Sequence, residues 1–349
     1  IVIALDEHPE IETIVIHDER SAGFYALGMA QQLNAPVGVV CTSGSAMLNY
    51  YPAVAEAYYQ CVPLVVVSAD RPSEWINHGD GQTIVQKGVY ENHIKFEMEV
   101  PEVANSLADV KLLNSDIDKA FVACNGGWKG PVHFNIPISE PLYNTLETEF
   151  VEATLNSIEI KEEEFDLASF STLWKSSQRK MIICGQAPKN TMLLNILSEL
   201  AKDTSVAILV ENTSNLADGR FVQCIDRTLN AIEDSEVEAY KPEVLISIGG
   251  AIVSKRIKQF LRSSDLKSHW RIGFDFPEMN TYSTLSKSVQ CFPKTFLSAV
   301  MNECGFVNNS TFGNRWKQKD YLVQNELPAF YANVAYSDLA VFELVLDYL

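Results

Sequence analysis

The sequence predicts an α/β protein built from two doubly wound parallel-sheet domains, and three observations predict it. Short, continuously apolar runs such as Val37 to Cys41 and Val206 to Val210 alternate with helix-length amphipathic stretches, the pattern of strands covered on both faces of a parallel sheet. The alternation breaks once, at the polar stretch Glu140 to Glu164 with its Glu162-Glu163-Glu164 run, and then resumes. The chain has 349 residues, 47% of them hydrophobic, which is long for a single core.

The elements follow in order. The run Thr13 to His17 reads as a buried strand ending in Asp18-Glu19-Arg20, with the amphipathic stretch Ser21 to Leu33 after it. Next come a strand at Val37 to Cys41, a helix at Ser45 to Gln60, a strand at Leu64 to Ala69 and a short helix near Thr83 to Glu91. A strand near Phe96 to Val100, a helix across Leu113 to Cys124 and a strand at Val132 to Ile136 complete the first series. The second series runs through strand Met181 to Cys184, helix Met192 to Lys202 and strands Val206 to Val210 and Val244 to Ile248. Helix Ser254 to Arg262 and strand Trp270 to Phe274 follow. Its turns, Gly185-Gln186-Ala187 and Gly249-Gly250-Ala251, lack the full G-x-G-x-x-G of a dinucleotide site. Helices Gly313 to Asn325 and Ser337 to Leu349 end the chain. The last presents Leu339, Val341, Phe342, Leu344, Val345 and Leu349, an apolar face that needs something to pack on.

The expected domains are therefore 1–145, a linker 146–165, a second domain 166–330, and 331–349 as the start of a third. Because Ile1 is not a methionine, the chain is expected to begin inside a longer protein.

Composition narrows the partners. Lys and Arg number 27 against 45 Asp and Glu, a net charge of −18, which disfavours nucleic acid because neutralising phosphates takes clustered cations. No run approaches the roughly 18 apolar residues of a membrane span. Seven cysteines stand singly, in an odd number and without C-x-x-C spacing, so they read as small buried hydrophobes of a reducing cytoplasm.

Chemistry collects where strands end, since open α/β sheets bind ligands beyond the carboxyl ends of their strands. Glu19 stands at such an end; taken alone it is a helix-start carboxylate favoured by the macrodipole. Thr42-Ser43-Gly44-Ser45 is a small-residue turn that lets backbone N–H groups approach a ligand, though ordinary helix capping explains most such turns. Arg71 follows the strand in Ser68-Ala69-Asp70-Arg71-Pro72, and Gln82 closes the turn Gly79-Asp80-Gly81.

Taken together, "DERSAGFYALGMA", "CTSGSAMLNYYPAVAEAYYQ", "PLVVVSADRP" through "GQTIVQKGVY", and "GPVHFNIPISEPLY" resemble the pyrimidine-binding domain of the MenD family. Its members are thiamine-diphosphate-dependent enzymes of menaquinone biosynthesis. The second domain is similar to the family at "IGGAIVSKRIKQFL", resting mainly on Ser254-Lys255-Arg256.

The resemblance implies that Glu19 is the glutamate that hydrogen-bonds the cofactor's aminopyrimidine, an acid–base role that suits the residue type. It places Ser43 beside the cofactor and matches Arg71, Gln82 and Lys255 to substrate-facing positions. It implies decarboxylation of 2-oxoglutarate and addition of the resulting carbanion to isochorismate, both carboxylates, for which Arg offers a bidentate fork. By itself, Lys255 in the first turn of a helix is a solvated surface residue.

Mg²⁺ is expected in a diphosphate-binding domain beyond Leu349, and the residues of this chain alone are expected to be catalytically silent. Gly79-Asp80-Gly81 with Asn105 mimics the metal motif but is not preceded by an apolar strand. Cofactor binding between subunits implies a homodimer or homotetramer. Helix Ala46 to Tyr59, with its four tyrosines, is the candidate interface, although core packing would explain them equally. Two alternatives stand beside this reading: a related thiamine-diphosphate enzyme such as acetolactate synthase, and a noncatalytic α/β metabolite-binding module.

Overall fold

The apolar runs pair into two separate parallel sheets, one in each of the units Ile1–Lys161 and Glu162–Leu349 into which the chain divides. The computed structural model describes residues 1–102, 106–139, 160–306 and 310–348. The predicted α/β class with two parallel sheets is what the structure shows. Most of the linker expected at 146–165 lies outside the described residues.

In the first unit, α1 (Val2–Asp6) and α2 (Glu19–Leu33) precede β1 (Val37–Cys41); a 3₁₀ segment Gly44–Tyr50 leads into α3 (Tyr51–Tyr59) and β2 (Leu64–Asp70). Then follow β3 (Phe96–Glu99), α4 (Leu107–Asn125) and β4 (Val132–Pro137), and the sheet order is β1-β2-β4-β3. Side-chain alternation sorts the core onto two faces. Val39, Cys41, Leu64 and Val66 pack with Ala26, Leu27 and Ala30 of α2 and Val54 and Ala57 of α3. Val65, Met98, Val132 and Phe134 pack with Ala120 and Cys124 of α4 on the other side.

Local chemistry starts and stops these helices. Asp18 caps α2, its carboxylate accepting from the Ser21 N–H at 2.8 Å, and Asn34 ends it in the left-handed conformation at φ 52°. Ser106 and Asp109 form a reciprocal capping box on α4.

Three expectations for this unit need correction. Residues 13–17 form no strand, and Val15 is 81% exposed. An extended run becomes a strand only beside a neighbour that takes its hydrogen bonds, and the α1 helix and turn preceding it supply none. The helix expected at 83–91 is irregular apart from a 3₁₀ turn, Glu91–His93. Gln82 at φ 57° and Gly88 at φ 75° are left-handed, which an α-helix cannot pass through. The helix expected from Ser45 to Gln60 is split, and Pro52 stands in the first turn of α3, where its missing N–H costs nothing. Of that helix's tyrosines, Tyr50 is core, with its hydroxyl donating to the Val40 carbonyl at 2.9 Å, while Tyr59 is exposed.

In the second unit, α5 (Leu167–Ser176), β5 (Lys180–Cys184), α6 (Thr191–Leu200) and β6 (Val206–Val210) are followed by α7 (Ile225–Asn230), α8 (Val237–Tyr240) and β7 (Val244–Ile248). Next come α9 (Lys255–Arg262), β8 (Ser268–Ile272), β9 (Lys287–Val289), α10 (Pro293–Cys304), α11 (Phe312–Asn333) and α12 (Asp338–Tyr348). The sheet order is β6-β5-β7-β8-β9, all parallel. Ile182, Ile208 and Ile246 face one core with Phe170 and Trp174 of α5; Met181, Leu209 and Leu245 face the other with Trp316 of α11. The sequence reading missed α5, α7, α8, β9 and α10, although Phe170 and Trp174, one helical turn apart, were a signal for the first.

Glu162 and Glu163 are bound to this second unit. Glu162 accepts from the Phe292 N–H at 3.0 Å and the Thr295 hydroxyl at 3.1 Å, at the start of α10, and Glu163 accepts from the Gln290 N–H at 2.9 Å. Among the described residues no single helix is long and apolar enough to cross a membrane. The apolar face of α12 is exposed, with Leu339 at 50% and Phe342 at 66%.

The buried imidazole of His269, 1% exposed, meets the Ser247 hydroxyl at 2.8 Å, and burial, aided by Arg271, pushes its pKa down from 6.5 to about 4. Above about pH 6.5 it is neutral in both folded and unfolded chains. Between about 6.5 and 4 the unfolded chain takes up a proton that the folded one refuses. Stability is therefore expected to fall with pH across that window, by about 3 kcal/mol at its lower end. Urea unfolding at pH 7 and 4.5, for wild type and His269→Gln, reads this; identical pH slopes in both proteins would refute it.

Candidate functional site

The polar side chains of the first unit gather at the carboxyl ends of β1, β2 and β4. Register explains the gathering: β2 and β4 pair Val66 with His133, Ser68 with Asn135 and Asp70 with Pro137, so the polar residues that interrupt two apolar strands become neighbours. Ser68, Gln86, His133 and Asn135 are all at most 1% exposed, and buried polar groups demand partners.

They find them in one another. Asp70 accepts from the Asn135 amide at 2.7 Å. The Asn135 oxygen accepts from the Ser68 hydroxyl at 2.9 Å and from the Gln86 amide at 2.7 Å. The Gln86 amide also donates to the Ala69 carbonyl at 3.0 Å, and its oxygen accepts the Gly44 N–H at 2.7 Å. On the other side, His133 bridges the Ser68 hydroxyl at 2.7 Å and the Glu97 carboxylate at 3.1 Å. The His133 hydrogen bond, then the Gly88 N–H, hold the Glu97 carboxyl below its ordinary range against the opposing effect of burial.

Around this network stand four of the residues singled out from sequence. Glu19 is the first residue of α2 and half-buried, and its charge adds to burial in raising the Cys41 thiol, at the end of β1, to about 12. Ser43 is 6% exposed and precedes the 3₁₀ segment without any side-chain capping bond, so capping does not account for it. Gly44 has φ +81°, and the space a Cβ would need there is filled by the Gln82 backbone, whose carbonyl oxygen would lie 3.0 Å away. Gln82 thus lies against the Ser43–Gly44 turn with its own side chain exposed. Arg71 is half-buried, its N–H donating to the Asp70 carboxylate at 2.8 Å.

Lys255 belongs to the second unit, exposed at the first position of α9. The residue before it, Ser254, accepts from the Ile257 N–H at 3.1 Å, gives its own N–H to Glu211 at 2.9 Å and donates its hydroxyl to Asp226. Two carboxylates thus stand at a helix start otherwise loaded with Lys255, Arg256 and Lys258, where the macrodipole disfavours cations.

Asp80 lies in an exposed turn, and Asn105 lies outside the described residues. Among the described residues no group of three or more His, Cys, Asp or Glu side chains could hold a metal ion. What the first unit does offer is a carboxylate at a helix start and a buried hydroxyl on a left-handed glycine turn, with an arginine on the neighbouring strand end. That donor set fits a neutral, hydrogen-bonding heterocycle better than a bare cation. Sequence reasoning missed Ser68, Asp70, Gln86, Glu97, His133 and Asn135 as a group. Its available signal was the polar side chains inside the apolar runs of β2 and β4.

Residues 1–90 match the family described as thiamine pyrophosphate enzyme, N-terminal TPP binding domain. The chain is 40% identical over 354 residues to a 2-succinyl-5-enolpyruvyl-6-hydroxy-3-cyclohexene-1-carboxylate synthase of Flavobacterium johnsoniae, covering 99% of this chain and 62% of that protein. It is 42% identical over 307 residues to the same-named protein of Christiangramia forsetii, covering 82% and 53%, and 33% identical over 364 residues to that of Porphyromonas gingivalis, covering 100% and 62%. The chain therefore spans about three fifths, or less, of the length of these curated relatives.

Proposed function

The chain belongs to the family of the 2-succinyl-5-enolpyruvyl-6-hydroxy-3-cyclohexene-1-carboxylate synthases, and on that premise we propose that it forms the pyrimidine-binding and middle domains of a thiamine-diphosphate-dependent enzyme of menaquinone biosynthesis. The proposed reaction is decarboxylation of 2-oxoglutarate and conjugate addition of the four-carbon unit to isochorismate. Mg²⁺ and the diphosphate are assigned to chain beyond these residues, and the assembly to a homodimer or homotetramer.

When bound, thiamine diphosphate supplies the carbanion-stabilising chemistry that no side chain provides. The roles of this chain are binding and proton handling. Glu19, half-buried at the start of α2 beside the end of β1, holds or yields a proton toward the aminopyrimidine. Ser43 and the Gly44 turn approach the cofactor with a small, buried surface. Arg71 takes a substrate carboxylate in its fork and Gln82 hydrogen-bonds the same ligand, while Lys255 on the second unit is assigned a substrate-binding role of its own. These local cations oppose a net charge of −18, which would otherwise repel anionic substrates.

The observation that carries the reading is the gathering of Glu19, Ser43, Arg71 and Gln82 about one sheet edge in a chain so similar to named synthases along its length. The test is isochorismate consumption by the full-length protein with thiamine diphosphate and Mg²⁺. Loss of isochorismate with 2-oxoglutarate and not with pyruvate is expected. Acetolactate formed from pyruvate, with isochorismate untouched, would assign the protein to the acetolactate synthase alternative. A chain of residues 1–349 alone is expected to give no turnover, and turnover by it would remove the need for a further domain.

A further inference from the structure

The buried amide of Gln86 has a role that the substrate-facing residues do not supply. Its carboxamide links three separate segments: the Gly44 turn after β1, the Ala69 carbonyl near the end of β2, and Asn135 on β4. The direction of every bond is dictated from one end. The Asp70 carboxylate can only accept, so it fixes the Asn135 amide nitrogen toward itself and turns the Asn135 oxygen toward Ser68 and Gln86. That oxygen in turn demands the Gln86 nitrogen. The Gln86 oxygen is left facing outward, where it accepts the Gly44 N–H.

Gly44 is the point at which this chain of amides meets the site. Its left-handed backbone is packed directly on the Gln82 backbone and follows Ser43. Asp70, at the other end, also holds the N–H of Arg71. The ends of the relay therefore touch both the turn assigned to the cofactor and the loop assigned to a substrate carboxylate.

We infer that Gln86, oriented through Asn135 by Asp70, is a positioning residue that sets the Ser43–Gly44 turn against Gln82 for ligand binding. It reaches no ligand itself, being 1% exposed. The inference rests on the reading of that turn and of Gln82 as ligand-facing.

The test uses the full-length protein with Gln86→Met, which keeps the volume and removes the hydrogen bonds. Met98→Ala is the comparator: Met98 is buried on the opposite face of the same sheet, so its loss destabilises without touching the relay. Three quantities are read: hydrogen exchange at the Gly44 amide, the calorimetric dissociation constant for thiamine diphosphate, and KM for isochorismate. Gln86→Met is expected to speed Gly44 exchange and to raise the dissociation constant and KM by about tenfold each, the scale of one misplaced binding group. Met98→Ala is expected to lower the melting temperature with both binding quantities unchanged. If Gln86→Met does not fold, Asn135→Leu, which removes the group orienting Gln86, is read the same way. Wild-type binding matched by both relay variants would overturn the role of Gln86 alone. Wild-type protein that binds no thiamine diphosphate would overturn the functional reading, and the inference with it.

Discussion

Replacing Glu19 with Gln in the full-length protein is expected to lower turnover by about 10²–10⁴-fold, the usual scale for loss of a positioned acid–base group. The substitution is nearly isosteric, and the structure indicates that it is mild for the fold. The cap of α2 is Asp18, which takes the Ser21 N–H, so Glu19 contributes to the helix start only through its charge. Losing that charge costs under about 1 kcal/mol. A glutamine keeps the hydrogen-bonding reach but cannot exchange a proton at the aminopyrimidine. The expected signature is a collapse of kcat with an unchanged melting temperature and with cofactor still bound by calorimetry. Turnover within about twofold of wild type would sink the assignment of Glu19.

In the second unit, Asp320→Ala is expected to cost about 3 kcal/mol, because it removes the carboxylate that the buried Thr228 hydroxyl and the start of α7 bond to. Asp320, 3% exposed on α11, accepts from the Cys224 N–H at 3.2 Å, the Thr228 hydroxyl at 2.8 Å and the Gln324 amide at 2.6 Å. Cys224 begins α7 with no cap of its own, so the carboxylate comes from a helix almost a hundred residues along the chain. At roughly 2–4 °C per kcal/mol for a unit of this size, the melting temperature should fall by about 6–12 °C. Asp320→Asn, which keeps one acceptor, should lose less. Urea unfolding followed by tryptophan fluorescence measures both, and a loss under about 1 kcal/mol for the alanine variant would show that water replaces the carboxylate.

Much of the architecture was legible in the residues. Strands at Val206–Val210 and Val244–Ile248 fall where their apolar runs place them, because a strand buried on both faces tolerates few polar side chains and so marks its own limits. The same reasoning failed at residues 13–17. There the run is as apolar as a strand, but among the described residues no backbone pairs with it, and pairing is a property of the partner as much as of the run. It failed again at 83–91, where Gln82 and Gly88 turn left-handed and Gln86 spends its side chain on the Gly44 turn rather than on a helix face.

The candidate site divides along the same line. Glu19, Ser43, Arg71 and Gln82 stand beside strand ends or turns that sequence motifs mark, so they could be named from local pattern and resemblance. The relay from Asp70 through Asn135 to Gln86 could not, because its bonds join residues 49 and 65 positions apart. By itself the sequence determined the α/β class, the two sheets and most strand limits, since these follow from short-range hydrophobic periodicity. Only the tertiary structure decided which polar side chains share a hydrogen-bonded network and which extended run goes unpaired. Strand register and burial bring together groups distant in sequence, and a buried polar atom takes whichever partner the fold sets within about 3 Å.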